Sequence, residues 1–245
     1  MLRSFRDGSM YKSRTNAHEK LVHILLYMDD LEIANPLGPA RGVYKRLVVY
    51  YSVLDIHPRL RSQLKFLHLA IIAMYADVQK YGLGIALKPL LEELKELQNN
   101  GLHVSLHGHK VSLKVCLLAC SGDNLSMNRL GGFTCSFSRG SVCRFCMAHV
   151  GQLASLTTEE LCEGRSKQLH DGHLAAIEVN PSLYKRLSGV NERSAMALLE
   201  DFDPTLHLPP DLMHDLFEGA FPFVLKHVLK GLFQDRILSE GDLEK

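Results

Sequence analysis

Two positions in this chain place carboxylates where an apolar run stops. Leu21 to Met28 leads into Asp29 and Asp30, and Val111 to Cys120 leads through Ser121-Gly122 into Asp123. Carboxylates at the ends of adjacent strands can hold two divalent cations, Mg²⁺ or Mn²⁺, about 3.5–4 Å apart, an arrangement that cuts and rejoins phosphodiester bonds. One such Asp by itself is usually a turn former or a helix cap. The pair, in a particular order of elements, is what points to chemistry. Successive side chains of an extended strand face opposite ways, so only one of Asp29 and Asp30 can face a metal site, and the sequence leaves both open.

A second constellation is Cys143-Arg144-Phe145-Cys146-Met147-Ala148-His149. Two thiolates two residues apart can bind one tetrahedral Zn²⁺, with His149 as a third ligand. A fourth would come from Cys135, Cys162, His170, His173 or His214, and His170-x-x-His173 is the most suggestive second half. A zinc ion closed in by four protein ligands has a structural role, with no open position for chemistry. A third cluster lies in Asp211-Leu212-Met213-His214-Asp215-Leu216-Phe217-Glu218-Gly219. Spacings of three and four bring Asp211, His214, Asp215 and Glu218 to one helical face. His103, His107 and His109 read as a solvated hairpin rather than a metal patch, and Arg41, Lys45, Arg46, Arg59, Arg61 and Lys65 as a solvated face that could touch phosphates.

The elements that must position these groups can be read from periodicity. The dense run from Leu21 predicts a strand buried on both faces, closed by turn chemistry at Asn35-Pro36-Leu37-Gly38-Pro39. Arg46 to Leu54 and Gln63 to Met74 read as a second and a third strand. Leu83, Leu87, Leu90, Leu91, Leu94 and Leu97 form one helical stripe, Pro89 is a candidate for its true start, and Asn99-Asn100-Gly101 ends it. Val111 to Cys120 is then a fourth strand, and Asp123-Asn124 suit the cap of a following helix with Met127 and Leu130. Phe133 to Phe137 suggests a short fifth strand, Leu153 to Arg186 alternating helices and loops, and Met213 to Leu232 a final amphipathic helix. The order strand-strand-strand-helix-strand, with acids on the first and fourth strands, is that of an α/β core of the ribonuclease H type.

Composition bounds the partners. Hydrophobic residues make up 46% of 245, enough for a packed core, and a net charge of +1 gives no global basic field, so nucleic-acid contact must come from local patches. Six cysteines without a secretory leader indicate a reducing compartment, and the apolar stretch from Leu64 to Tyr75 is too short to span a bilayer. The expectation is a protein that is neither secreted nor membrane-spanning.

Together these motifs resemble one family. Tyr27-Met28-Asp29-Asp30-Leu31-Glu32 followed by Asn35-Pro36-Leu37-Gly38, then Gly122-Asp123-Asn124, Cys143-x-x-Cys146, and Pro210-Asp211-Leu212-Met213-His214-Asp215-Leu216-Phe217-Glu218-Gly219, are similar in order and spacing to DDE transposases of the CACTA (En/Spm-like) and Kyakuja-Dileera-Zisupton groups. The resemblance implies an RNase H-like core over residues 21–140 with a mostly helical, zinc-stabilised insertion over 141–245, after a polar leader or truncated upstream segment at 1–20. It implies DNA strand cleavage and transfer by two-metal chemistry, transposon-end DNA as partner, homo-oligomers, no small-molecule substrate, and nuclear residence, with the cytoplasm as the alternative. The first acid carries over to Asp29 or Asp30 and the second to Asp123; Cys143, Cys146, Asp211 and His214 fall in the insertion. A third acid is expected on a helix beyond Asp211-x-x-His214. Glu218 is the substitute candidate, and the expectation is a fragment or repurposed copy with an incomplete catalytic set. The alternative is a non-catalytic, zinc-stabilised module that binds DNA or protein.

Overall fold

The computed structural model describes residues 4–14, 20–32 and 42–242. The turn expected at Asn35–Pro39, and Arg41, lie outside the described residues. The chain begins with a short 3-10 turn, Phe5–Asp7, and α1 (Ser9–Arg14), in the segment read as a polar leader. It continues through β1 (Leu21–Glu32), β2 (Lys45–Val53), α2 (Pro58–Arg61), β3 (Leu67–Met74), α3 (Tyr75–Tyr81), α4 (Leu83–Asn99), β4 (Leu102–Leu106), β5 (His109–Ser121), α5 (Asn124–Gly131), α6 (Lys167–Val179) and α7 (Pro181–Ser188). A π-helical stretch, Met213–Ala220, then runs into α8 (Phe221–Gln234).

The five strands form one curled mixed sheet in the order β3-β2-β1-β5-β4. β1 pairs antiparallel with β2 and parallel with β5; β2–β3 and β4–β5 are antiparallel. Parallel pairing of β1 with β5 requires a crossover, and α3 and α4 supply it. β4 and β5 close as a two-residue hairpin whose turn residues, His107 (φ 50°) and Gly108 (φ 80°), both adopt positive φ, as a type I′ turn demands. The histidine-rich segment is therefore a hairpin, and its first arm is the fifth strand of the sheet. Phe133–Phe137, expected in that role, makes only an isolated bridge from Phe133 to Val190.

One face of the sheet packs on α4. The stripe Leu83, Leu87, Leu91 and Leu94 is buried against Ile24, Leu26, Met28, Leu47, Val49, Leu117 and Cys120. Each such leucine contributes about 1.5–3 kcal/mol relative to exposure. The helix starts at Leu83, with Pro89 in its interior instead of at its first turn. β1 is not buried on both faces along its length: Leu25 is half-buried and Tyr27 is 38% exposed. The strand also continues past Met28 through Glu32, so Asp29 and Asp30 lie within it, opposite Val48 and Leu47 of β2.

The core extends beyond residue 140. Leu174, Ile177, Val190, Met196, Leu199, Phe202 and Leu208 belong to the same buried cluster as the sheet residues. The chain divides into two compact units, Met1–Pro209 and Pro210–Lys245. Among the described residues no helix is long and apolar enough to cross a membrane.

Candidate functional site

Asp30 and Asp123 are both tied to α5, Asp123 as its cap and Asp30 through Arg129. The parallel rungs between β1 and β5 end at Tyr27 opposite Ser121, so Asp29 and Asp123 each follow the last rung by two residues. Between them Gly122 lies so close to β1 that a Cβ there would sit 2.3 Å from the Met28 carbonyl oxygen. Only glycine permits that approach. Asp123 then caps α5, its Oδ1 accepting the Ser126 amide hydrogen at 2.6 Å, as its place before Met127 and Leu130 predicts.

α5 also decides between the two aspartates of β1. Its Met127 and Leu130 join the core with Ile24, Leu26 and Met28, so the helix covers the face to which Asp30 belongs by alternation. Arg129 of α5 stands 4.0 Å from Asp30 Oδ2, and Lys45 of β2 is 3.0 Å from the same oxygen. Both cations lie over the Tyr75 ring, Lys45 at 4.2 Å and Arg129 at 5.2 Å from its centroid. The other oxygen, Asp30 Oδ1, is buried without a hydrogen-bond partner. Asp29 faces the opposite way, accepting the Asp30 amide hydrogen at 2.7 Å and the Tyr27 hydroxyl at 3.4 Å. Lys45, grouped by sequence with a solvated basic face, is thus a counter-ion of Asp30.

The cysteine pair is held by two buried arginines that the motif itself does not reveal. Arg144, between the cysteines, is 4% exposed. It donates to Asn124 Oδ1 (2.6 Å), Asn128 Oδ1 (3.3 Å) and the carbonyls of Leu208 (3.4 Å) and Pro209 (3.0 Å). Asn124 is the residue directly after Asp123, so this guanidinium ties the cysteine loop to the helix that Asp123 caps. Arg165 donates to the Cys143 carbonyl at 3.0 Å and the Ser188 carbonyl at 2.5 Å, while one of its terminal nitrogens is buried without a partner.

Burial pushes the Cys143 thiol up, against the pull of the Phe145 and Cys146 amides, and its Sγ accepts the Phe145 amide hydrogen at 3.3 Å. Burial also lowers the pKa of Arg165, which the neighbouring Cys143 and Cys146 oppose. His170 and His173, on one face of α6, are both held toward the neutral form, by burial first and by the Arg165 charge second. Each has a buried Nδ1 without a hydrogen-bond partner. His149 is used locally, its Nδ1 accepting the Gly151 amide hydrogen at 3.2 Å as the cap of a short 3-10 turn. Cys143 and Cys146 fit half of a tetrahedral zinc site. The charge beside them and beside the two imidazoles is a guanidinium, which repels a second cation.

Asp211, His214 and Glu218 lie in the unit Pro210–Lys245. Asp211 accepts from the His214 ring and from the Met213 and His214 amides, and His214 Nε2 is 3.9 Å from Glu218 Oε2. Burial raises the Asp211 pKa, but these hydrogen bonds outweigh it and hold the group below its ordinary value. Asp211, just ahead of the helical stretch, thus meets His214, which approaches Glu218, while Asp215, expected on the same face, donates its amide to the Asp211 carbonyl at 2.8 Å. Among the described residues no group of three or more His, Cys, Asp or Glu side chains is placed to hold a metal ion.

Comparison of the chain with models of known protein families and with curated proteins gives no match.

Proposed function

We propose that this chain carries an RNase H-like core of DDE-transposase ancestry, acting on DNA, with Asp30 and Asp123 as its first two acids. The observation that carries the reading is the sheet order β3-β2-β1-β5-β4 with β1 and β5 parallel, an acid on the central strand, and an acid at the helix cap that follows its parallel neighbour. The unpartnered Asp30 Oδ1 suits a divalent cation. Mg²⁺ or Mn²⁺ bound there would activate a water or 3′-hydroxyl and stabilise the leaving oxygen. In this chemistry Asp30 and Asp123 would hold the ions, α5 is tied to both through its cap and Arg129, and Gly122 allows β5 to end against β1. Nuclear residence follows from the DNA substrate alone.

The test is metal-dependent nicking of supercoiled plasmid by the chain, with Mn²⁺ binding followed separately by electron paramagnetic resonance. Asp30→Ala and Asp123→Ala are expected to abolish both, and Asp29→Ala to keep both. Undiminished nicking by Asp123→Ala would falsify the catalytic assignment.

One observation favours a second reading. Lys45 and Arg129 already compensate the Asp30 charge through Oδ2, which weakens the pull of the carboxylate on a cation at Oδ1. A repurposed, non-catalytic module that binds DNA or protein would keep such pairs, with Zn²⁺ on Cys143 and Cys146 as a structural addition. It predicts no Mn²⁺ binding by the parent, unaltered stability in Asp123→Asn, and a zinc content that Cys143→Ser abolishes.

A further inference from the structure

A cleft of about 580 Å³ opens between the loop at 134–141 and α7, and neither Asp30 nor Asp123 is in its lining. Its lining includes Arg139 from the loop, Lys185 and Arg186 from α7, and the hydroxyl residues Thr134, Ser136 and Ser182, and no carboxylate. All three cations are exposed. Lys185 and Arg186 lie in the last turn of α7, where they offset the helix dipole. That does not account for Arg139, which comes from a separate segment and faces the same cleft.

The two walls are locked together by backbone. Gly140 (φ 73°) lies so close to α7 that a Cβ would sit 2.3 Å from the Arg186 carbonyl oxygen. Gly189 (φ 69°) would meet the Ser141 carbonyl oxygen at 2.0 Å. The Thr134 amide donates to the Gly189 carbonyl at 2.8 Å, and Ser141 Oγ donates to the Leu187 carbonyl at 2.7 Å. The cations therefore project from two backbone walls that are braced against each other.

We propose that this cleft binds the phosphodiester backbone of DNA. Two guanidiniums and an ammonium without an opposing carboxylate match a row of phosphates, and planar guanidiniums suit phosphate oxygens in particular. The open, side-by-side placement suits a passing chain. The cleft rests on the DNA reading above and adds a backbone anchor to it, independent of metal.

The test is fluorescence anisotropy of a labelled DNA duplex with the full chain, in EDTA, across a salt series. R139A/K185A/R186A is expected to weaken binding by roughly tenfold or more and to flatten the dependence of log K on log salt by about 3. R139K/R186K should restore most of the slope, and K80A/K88A/K110A, which removes three exposed cations elsewhere, should change it little. Thermal melts confirm that the variants are folded. The proposal is overturned if the parent does not bind the duplex, or if both triple alanine variants lose equally. It is also overturned if calorimetry shows inorganic pyrophosphate, and not the duplex, depending on these three residues. The outcomes separate from those of the catalytic reading: Asp30→Ala should lose nicking while keeping the salt slope, and the triple cleft variant should lose the slope while keeping Mn²⁺ binding.

Discussion

The acid end of the sheet and the region around Arg165 solve the same problem differently. Near Asp30, a carboxylate taken partly out of water is compensated by two cations from neighbouring elements, Lys45 and Arg129. Near Arg165, a buried guanidinium has no carboxylate partner among the described residues; carbonyl oxygens of Cys143 and Ser188 receive two of its donors, and burial together with the Arg165 charge disfavours protonation of His170 and His173. Opposite charge offsets burial at the first centre, whereas the second rests on carbonyl hydrogen bonds and disfavours further positive charge. The first is therefore sensitive to charge substitutions, and the second to pH.

Arg144 bears most heavily on this comparison, because it joins the cysteine loop to α5. Arg144→Ala leaves Asn124, Asn128 and two carbonyls without their donor in a buried setting, and should lower stability by about 3 kcal/mol or more in urea unfolding. Arg144→Lys should restore little, since an ammonium cannot reach the four acceptors that the three nitrogens of the guanidinium reach. If Arg144→Ala were neutral, the two regions would be independent and the coupling argued here would be wrong.

Gly122→Ala tests the acid end alone. The added methyl meets the Met28 carbonyl and the Met127 side chain, so one strand end must move, at a cost of about 2 kcal/mol. A smaller contrast lies between neighbours. Asp30→Asn removes the partner of Lys45 and Arg129 and should cost about 1 kcal/mol after allowance for partial exposure. Asp29→Asn should change stability by less than about 0.5 kcal/mol. Equal effects from both would break the assignment of Asp30 to the α5 side.

The smallest effect is the pH dependence of the second centre. His170 and His173 have lowered pKa values in the folded chain, so below about 6.5 the unfolded chain takes up protons that the folded chain refuses. Melting temperature should therefore fall as pH drops through this range and stay flat above it. Arg165, Asp171, Asp203 and Glu163 are the charged groups that act on the two rings. His170→Phe, packed beside Phe133, should flatten part of the slope. A slope unchanged in that variant would show that other groups carry it.

Much of the fold was legible in the chain. The dense apolar run of β1, the β-branched run of β2, the leucine stripe of α4 and the Asp123 cap all appear where local composition, periodicity or cap chemistry puts them. These are properties of residues a few positions apart. Pro89 misled because proline is usual at a helix start, whereas the buried Leu83 and Leu87 hold the preceding turn in place. Phe133–Phe137 resembles a strand by composition, but Phe133 is buried in the core beside Val190 and its neighbours bond to the Gly189 turn instead of a sheet edge.

By itself the sequence determined the positions of β1, β2 and α4, the Asp123 cap that follows β5, and the spacing that brings Asp211, His214 and Glu218 together, because each depends on residues a few positions apart. Tertiary structure alone decided that Asp30 and not Asp29 shares a face with the helix capped by Asp123. It also decided that Lys45 and Arg129 converge on that carboxylate, that Arg165 lies by the cysteines and histidines, and that Arg139 joins Lys185 and Arg186 across a cleft. Those contacts join residues tens of positions apart, and they exist only once packing has closed the loops between them.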